Sequence, residues 1–368
     1  MKKFLLINLI ISSVFFFSTC ATERYSPNSE PILVPRVLEE GSSKFEMETY
    51  SMRVPIIAYH HVTDAHQNDM TVTPELFNQH MQFLSKEGYQ PITLDAWCAA
   101  ALHGAELPKK PIIITFDDAW KSQYEFAVPV LEKFGFPATF FAYLDVIGNK
   151  TTMTWEQLRE LAKRGHCIGC HSATHCNLTK RFDFETEGQY KERIHNEIAG
   201  AKNIMEEKLG VQIRHFCYPY GYYNSEIFSM LERAGFISGV TVNPAVNTFF
   251  TPLFQLDRFI IAPWTTVEDL KKKLETLPLD IVRLEPVNGE MCKKPVKEIK
   301  VQLSGEQDIT SVEMKWKWKK TESSWNKFLH TITHTLPEPL AKGIYSAQIH
   351  GWDDNSNHYS AAWLFEKM

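Results

Sequence analysis

From residue 54 to about residue 273 the chain repeats one unit: a short apolar run of strand length, then a stretch of helical period closed by glycine. The first run is Val54-Pro55-Ile56-Ile57-Ala58-Tyr59. Thr73 and Pro74 then supply an N-cap and a first-turn proline. Leu76, Phe77, His80, Met81 and Leu84 make one stripe, and Gly88 stops it. Strand-like runs recur at 112–116, 138–143, 213–218 and 239–242, and helical ones at 124–134, 155–163, 187–209 and 225–234. Strands alternating with helices build parallel βα units. The expected fold is therefore α/β, a (β/α) barrel over 52–277, although the pattern does not fix closure of the barrel.

After Leu277-Pro278 the pattern changes. Strand-like runs at 299–303, 312–318, 327–333, 344–350 and 359–365 are separated by turns, with no helical period between them. Residues 278–368 are expected to form a small all-β, sandwich-like domain of immunoglobulin type. At the other end, Lys2 and Lys3, an apolar stretch over 4–17, and the small residues Ser18, Thr19 and Ala21 have the anatomy of a secretory signal (1–20). Phe17-Ser18-Thr19-Cys20 resembles a lipobox, so lipidation at Cys20 and plain cleavage near Ala21 are the two readings. Pro-, Ser- and Glu-rich residues 21–51 read as a tether. The expected location is the cell envelope, either membrane-anchored through Cys20 or periplasmic or secreted. The other six cysteines show no disulfide framework. A net charge of −5 without a basic run excludes nucleic acid as a partner.

Three segments at predicted strand ends can carry chemistry. Thr115-Phe116-Asp117-Asp118 places two carboxylates after an apolar strand, which is costly unless a charge sits beside them. A metal ion answers that cost; a solvated turn is the plain alternative. His171-Ser172-Ala173-Thr174-His175 offers two imidazoles four residues apart, able to face one point from a helical turn or a tight loop. Two His and one Asp form a common three-ligand set for catalytic zinc. Phe216-Cys217-Tyr218-Pro219-Tyr220-Gly221 fixes a turn that can aim a backbone N–H at an oxyanion, or can be an ordinary turn.

In this order the three segments resemble the NodB-type polysaccharide deacetylases, carbohydrate esterase family 4. Pro55-Ile56-Ile57-Ala58-Tyr59-His60-His61-Val62 and Gly165-His166-Cys167-Ile168-Gly169-Cys170-His171 extend the likeness over about 54–273. Tyr218-Pro219-Tyr220-Gly221 is similar to the poly-N-acetylglucosamine deacetylase branch. The resemblance implies a distorted (β/α) barrel with its site at the C-terminal strand ends. It implies that Asp118, His171 and His175 hold a divalent ion, zinc, that Asp117 is the general base, and that the Tyr220 N–H stabilises the oxyanion. The implied substrate is an N-acetylated amino-sugar polymer, on which Trp120, Tyr220, Tyr222 and Tyr223 can stack.

The chain also departs from the pattern. Ala119 stands where glycine is usual. Cys217 stands where an arginine often braces the base, and Arg258 is the candidate to supply that charge from another strand. Every histidine after Gly221 falls in the β-domain, so His60 is the substitute candidate for the general acid, with a buried structural role as the alternative. These departures keep open a second function, a catalytically impaired glycan-binding protein on the same scaffold. A third pattern, Cys167-Ile168-Gly169-Cys170-His171, matches haem attachment. A strand would point its two thiols to opposite faces, which speaks against that use.

Overall fold

The computed structural model describes residues 52–65 and 68–368. The expected signal, tether and Cys20 lie outside them. Eight parallel strands form the main sheet: β1 (Ile56–Tyr59), β2 (Gln90–Ile92), β3 (Pro111–Phe116), β4 (Thr139–Ala142), β5 (Cys167–Cys170), β6 (His215–Cys217), β7 (Ser238–Val240) and β8 (Phe259–Ile260). Their order is β8-β1-β3-β4-β5-β6-β7, with β2 beside the first half of β3. Leu256 lies across the remaining gap, bonding Gly239 and Thr241 of the β7 edge at 3.0 and 2.8 Å. The sheet is a distorted (β/α) barrel, as expected.

Period two along β3 explains what faces where. Ile112, Ile114 and Phe116 join the large core beneath the helices. Ile113 packs inside the barrel with Ile56, Phe141, Cys217 and Val240. Thr115 and Asp117 continue that inward row, so the last inward position of β3 is a carboxylate.

The helices are α1 (Pro74–Lys86), α2 (Leu94–His103), α3 (Val128–Phe134), α4 (Trp155–Lys163), α5 (Glu187–His195), α6 (Ala201–Leu209), α7 (Ser225–Arg233) and α8 (Val267–Glu275). Threonine hydroxyls cap five of them, from Thr73, Thr93, Thr154, Thr186 and Thr266. Each such cap is worth about 1 kcal/mol. The expected single helix over 187–209 is two helices joined by a wide π-type turn at Asn196–Gly200, which matters for the site. The sequence reading passed over β2, α2 and α8. None of the helices in the described residues is long and apolar enough to cross a membrane.

The strands after α8 are β9 (Leu277–Pro278), β10 (Ile281–Glu285), β11 (Met291–Cys292), β12 (Glu298–Leu303), β13 (Ile309–Trp316), β14 (Lys319–Thr321), β15 (Ser324–Asn326), β16 (Thr331–Thr335), β17 (Gly343–Asp353) and β18 (His358–Lys367). One sheet runs β9-β18-β17-β13-β14 with β11 also on β18; the other runs β10-β12-β16-β15. Ile299, Val301 and Ile332 of the second sheet meet Met314, Ile349, Trp363 and Phe365 of the first. Leu364, between those last two, points the other way into the barrel's helical core. Further bonds fix this attachment: Tyr223 Oη donates to Asn288 at 2.7 Å and Asn224 Nδ2 to Glu366 at 2.6 Å.

Candidate metal centre

The expected site residues converge at the C-terminal ends of β1, β3, β5 and β6. Asp118 and Ala119 follow β3 with φ of 72° and 52°. This left-handed pair turns the chain sharply and swings Asp118 out of the inward row that Asp117 occupies. Asp118 Oδ1 lies 3.6 Å from His171 Nε2 and 3.6 Å from His175 Nε2. The two Nε2 atoms are 3.1 Å apart. The histidine segment is a loop rather than a helical turn, with Ser172 and His175 also at positive φ.

Supporting bonds orient these ligands. His171 Nδ1 meets the Cys217 carbonyl at 2.8 Å. A carbonyl only accepts, so Nδ1 carries the proton and Nε2 presents its lone pair. Burial pulls the His171 imidazole down to about 4, keeping it neutral. Trp120 Nε1 donates to Asp118 Oδ2 at 3.1 Å. Glu197, which the sequence reading missed, lies in the π-type turn. It accepts from the N–H groups of Ala173 and Thr174 at 3.1 and 2.9 Å and from the Thr174 hydroxyl at 2.7 Å. The only sequence signal was a glutamate in a helix interrupted by Gly200. Glu197→Ala is expected to weaken divalent-cation binding by roughly 10- to 100-fold, measured by competition with a chromogenic chelator.

The donor set fits a divalent cation. Three electron-pair donors, each within 4.8 Å of the others, face one another. Such a convergence is unfavourable unless positive charge takes the space, and Asp plus two His leaves a position open for water. The overlapping set Asp117, His171 and Cys217 does not fit, because Arg258 already occupies its Asp and Cys. A third set, Asp95, Cys167 and His215, belongs to α2 and the first residues of β5 and β6, and its carboxylate is held by Arg214 at 3.1 Å.

Arg258, fully buried, fills the barrel interior. Its Nη1 and Nη2 donate to the two oxygens of Asp117, both at 2.8 Å. It also reaches Thr115 Oγ1 at 3.1 Å, the Thr241 carbonyl at 2.7 Å and Cys217 Sγ at 3.1 Å. Burial alone would raise the Asp117 carboxyl. The guanidinium outweighs it and holds Asp117 well below the usual carboxylate range. His60 Nε2 lies 3.8 Å from Asp117 Oδ2, and its Nδ1 is buried without a hydrogen-bond partner among the described residues. Tyr220 sits in a one-turn 3₁₀ bend at φ 58°, and its ring meets the His175 ring edge-on at 4.7 Å.

Residues 104–238 match the family model for polysaccharide deacetylases. Over that stretch the chain is similar to polysaccharide deacetylases. A Bacillus subtilis protein, YxkH, whose name makes it a candidate polysaccharide deacetylase, is 27% identical over 275 residues, 72% of this chain and 95% of its own. A poly-beta-1,6-N-acetyl-D-glucosamine N-deacetylase of Escherichia coli K12 is 24% identical over 258 residues. That match takes in 60% of this chain but only 38% of the relative's length. In structure, the Streptococcus pyogenes deacetylase PplD in complex with acetate superposes with a TM-score of 0.56 at 24% identity, covering 61% of this chain and 99% of that one. The fold is thus that of polysaccharide deacetylases, which are amide hydrolases.

One expectation needs correction. Tyr223 is fully buried and bonded to Asn243 and Asn288, so it serves the core and cannot stack on a sugar. Trp120 is half-buried, with one ring face stacked on His61 at 4.0 Å. Tyr220 and Tyr222 are open to solvent. The two thiols of the haem-like motif do face opposite ways: Cys170 joins the core under the helices, while Cys167 Sγ lies 3.6 Å from Asp95 Oδ2.

Asp257, next to the arginine, accepts from Thr241 Oγ1 at 3.1 Å, and burial pushes its carboxyl up to about 8. Its folded pKa lies above its unfolded one. Its contribution to stability is therefore present below about pH 4 and lost as pH rises through 8. Asp257→Asn is expected to raise the melting temperature at pH 9 and leave it unchanged at pH 4, read by circular dichroism.

Proposed function

We propose that the protein is a metal-dependent hydrolase that removes N-acetyl groups from an N-acetylglucosamine-containing polysaccharide and releases acetate. Residues 52–277 act as the catalytic domain and 278–368 as an accessory β-domain. The observation that carries this reading is the convergence of Asp118, His171 and His175 beside a second carboxylate, Asp117, that Arg258 holds anionic.

Asp118, His171 and His175 would hold a divalent ion, zinc, which would supply Lewis acidity toward the acetyl carbonyl and a water of lowered pKa. Asp117 accepts the proton of the attacking water. The Tyr220 N–H, which bonds no other described residue, donates to the carbonyl oxygen as it gains charge. His60, 3.8 Å from Asp117, gives a proton from its imidazolium to the departing nitrogen, so that the C–N bond breaks and a free amine stays on the sugar. Tyr220 and Tyr222 offer exposed rings for the polymer. Arg258 favours an active enzyme over a glycan-binding remnant, because it restores the charge that Cys217 lacks.

Support for the substrate class comes from the name of the Escherichia coli relative and from the site's open aromatic edge. Peptidoglycan, poly-N-acetylglucosamine and chitin-like oligomers are the panel. The chelated protein is expected to release no acetate, and added zinc to restore release from at least one of the three. Zinc-loaded, folded protein that binds these polymers yet deacetylates none would overturn the enzymatic reading. The signal and Cys20 support a site of action in the cell envelope.

A further inference from the structure

The C-terminal sheets carry a charged, aromatic feature that catalysis does not use. A two-residue turn, Lys317-Trp318, joins β13 to β14, with Trp316 paired to Lys319. Both turn residues have positive φ, 50° and 65°, as a tight primed hairpin requires. Asn-Gly meets that requirement with little strain, whereas lysine and tryptophan bring the steric cost of a left-handed backbone. The turn itself therefore gives no reason for these side chains. Trp318 is 53% exposed at the tip.

The register gathers more lysines at this end. Lys293 and Lys294 follow β11, which runs beside Glu366 and Lys367. Lys342 precedes β17, whose first residue, Gly343, pairs with Lys367. Lys293, Lys294, Lys317, Lys319, Lys320 and Lys342 are all exposed. Lys320 pairs with Glu313, and Lys317 lies 4.8 Å over the Tyr345 ring. The other four have no ion pair among the described residues. The acids of this end are Glu285, Glu290, Glu298, Glu313, Glu322, Glu338 and Glu366, of which Glu285, Glu298 and Glu313 are taken up by Arg283, Lys300 and Lys320 and Glu366 by Asn224, so they do not pair the other four lysines. At the opposite end the loops carry Asp280, Glu306, Asp308, Asp353 and Asp354 against Lys327, so the sheets are polarised from end to end.

We propose that the lysine-rich end docks on an anionic phospholipid surface, with Trp318 seated among the headgroups and the lysines over their phosphates. A lone indole on a protruding hairpin suits an interface that is apolar beneath and wet above. Lysines near such a surface add to the attraction one by one, within a Debye length. The docking end also lies on the metal-centre side of the barrel. β18 begins at His358, which contacts Thr276 just after α8, and finishes at Glu366, which contacts Asn224, the cap of α7 beyond β6.

The test uses the exported chain carrying Cys20→Ser, so that no lipid at that residue contributes. It is sedimented with phosphatidylcholine vesicles with and without phosphatidylglycerol. Binding is expected to be about tenfold tighter with the anionic lipid and to fall steeply with salt. Trp318→Ala and the pair Lys317→Glu, Lys319→Glu are each expected to weaken it about tenfold, with melting temperature, zinc content and acetate release unchanged. Equal binding to both vesicle types, or parent-like binding by the charge-reversed variant, would overturn the proposal. So would tighter binding to soluble poly(glycerol phosphate) that Trp318→Ala leaves intact, because the surface would then serve a phosphate polymer.

Discussion

Asp117→Asn is expected to retain one zinc per chain and to lower acetate release by roughly a hundred- to ten-thousandfold, the range a general base contributes. Asp118→Ala is expected to lose both zinc and activity. The contrast follows from geometry. Asp118 faces His171 and His175 at 3.6 Å, whereas Asp117 spends both oxygens on Arg258 at 2.8 Å. Metal analysis of each purified variant, alongside acetate release from an N-acetylglucosamine oligomer, separates the two roles. An Asp117→Asn protein as fast as its parent would show that the base is another group.

Arg258→Met is expected to be the most destabilising single change at the site. It leaves Asp117 a buried carboxylate without its counter-charge, which costs about 3–5 kcal/mol, or roughly a 5 °C fall in melting temperature for a chain of this size. Activity should fall together with stability. Zinc should still bind at low temperature, because none of the three metal ligands touches Arg258. Loss of zinc affinity in a still-folded Arg258→Met protein would mean that the brace shapes the metal centre as well as the base.

Much of this was legible from residues alone. The βα repetition gave the barrel because buried parallel strands read as unbroken apolar runs, as in Pro111–Phe116. The convergence of Asp118, His171 and His175 was legible because their segments follow strands, where the fold gathers loops. Short elements with mixed polarity were not legible: β2 is Gln-Pro-Ile with one buried residue, and the apolar α2, LDAWCAAALH, shows no clear stripe. Glu197 escaped because its role depends on a change of helical pitch at Asn196–Gly200, which leaves no period to detect. Tyr223 was misjudged because a tyrosine beside a site looks the same in sequence whether it faces solvent or, as here, a neighbouring sheet. Arg258 was found only because an expected charge was missing at Cys217.

The brace enters where the barrel is least regular, between β7 and β8, and the pocket around it is full. Only one guanidinium can occupy that volume, so positions 217 and 258 should behave as a single exchangeable pair across evolution. A homologue with arginine at the first should carry something small at the second, and one with a small residue at both should have surrendered catalysis while keeping its cation.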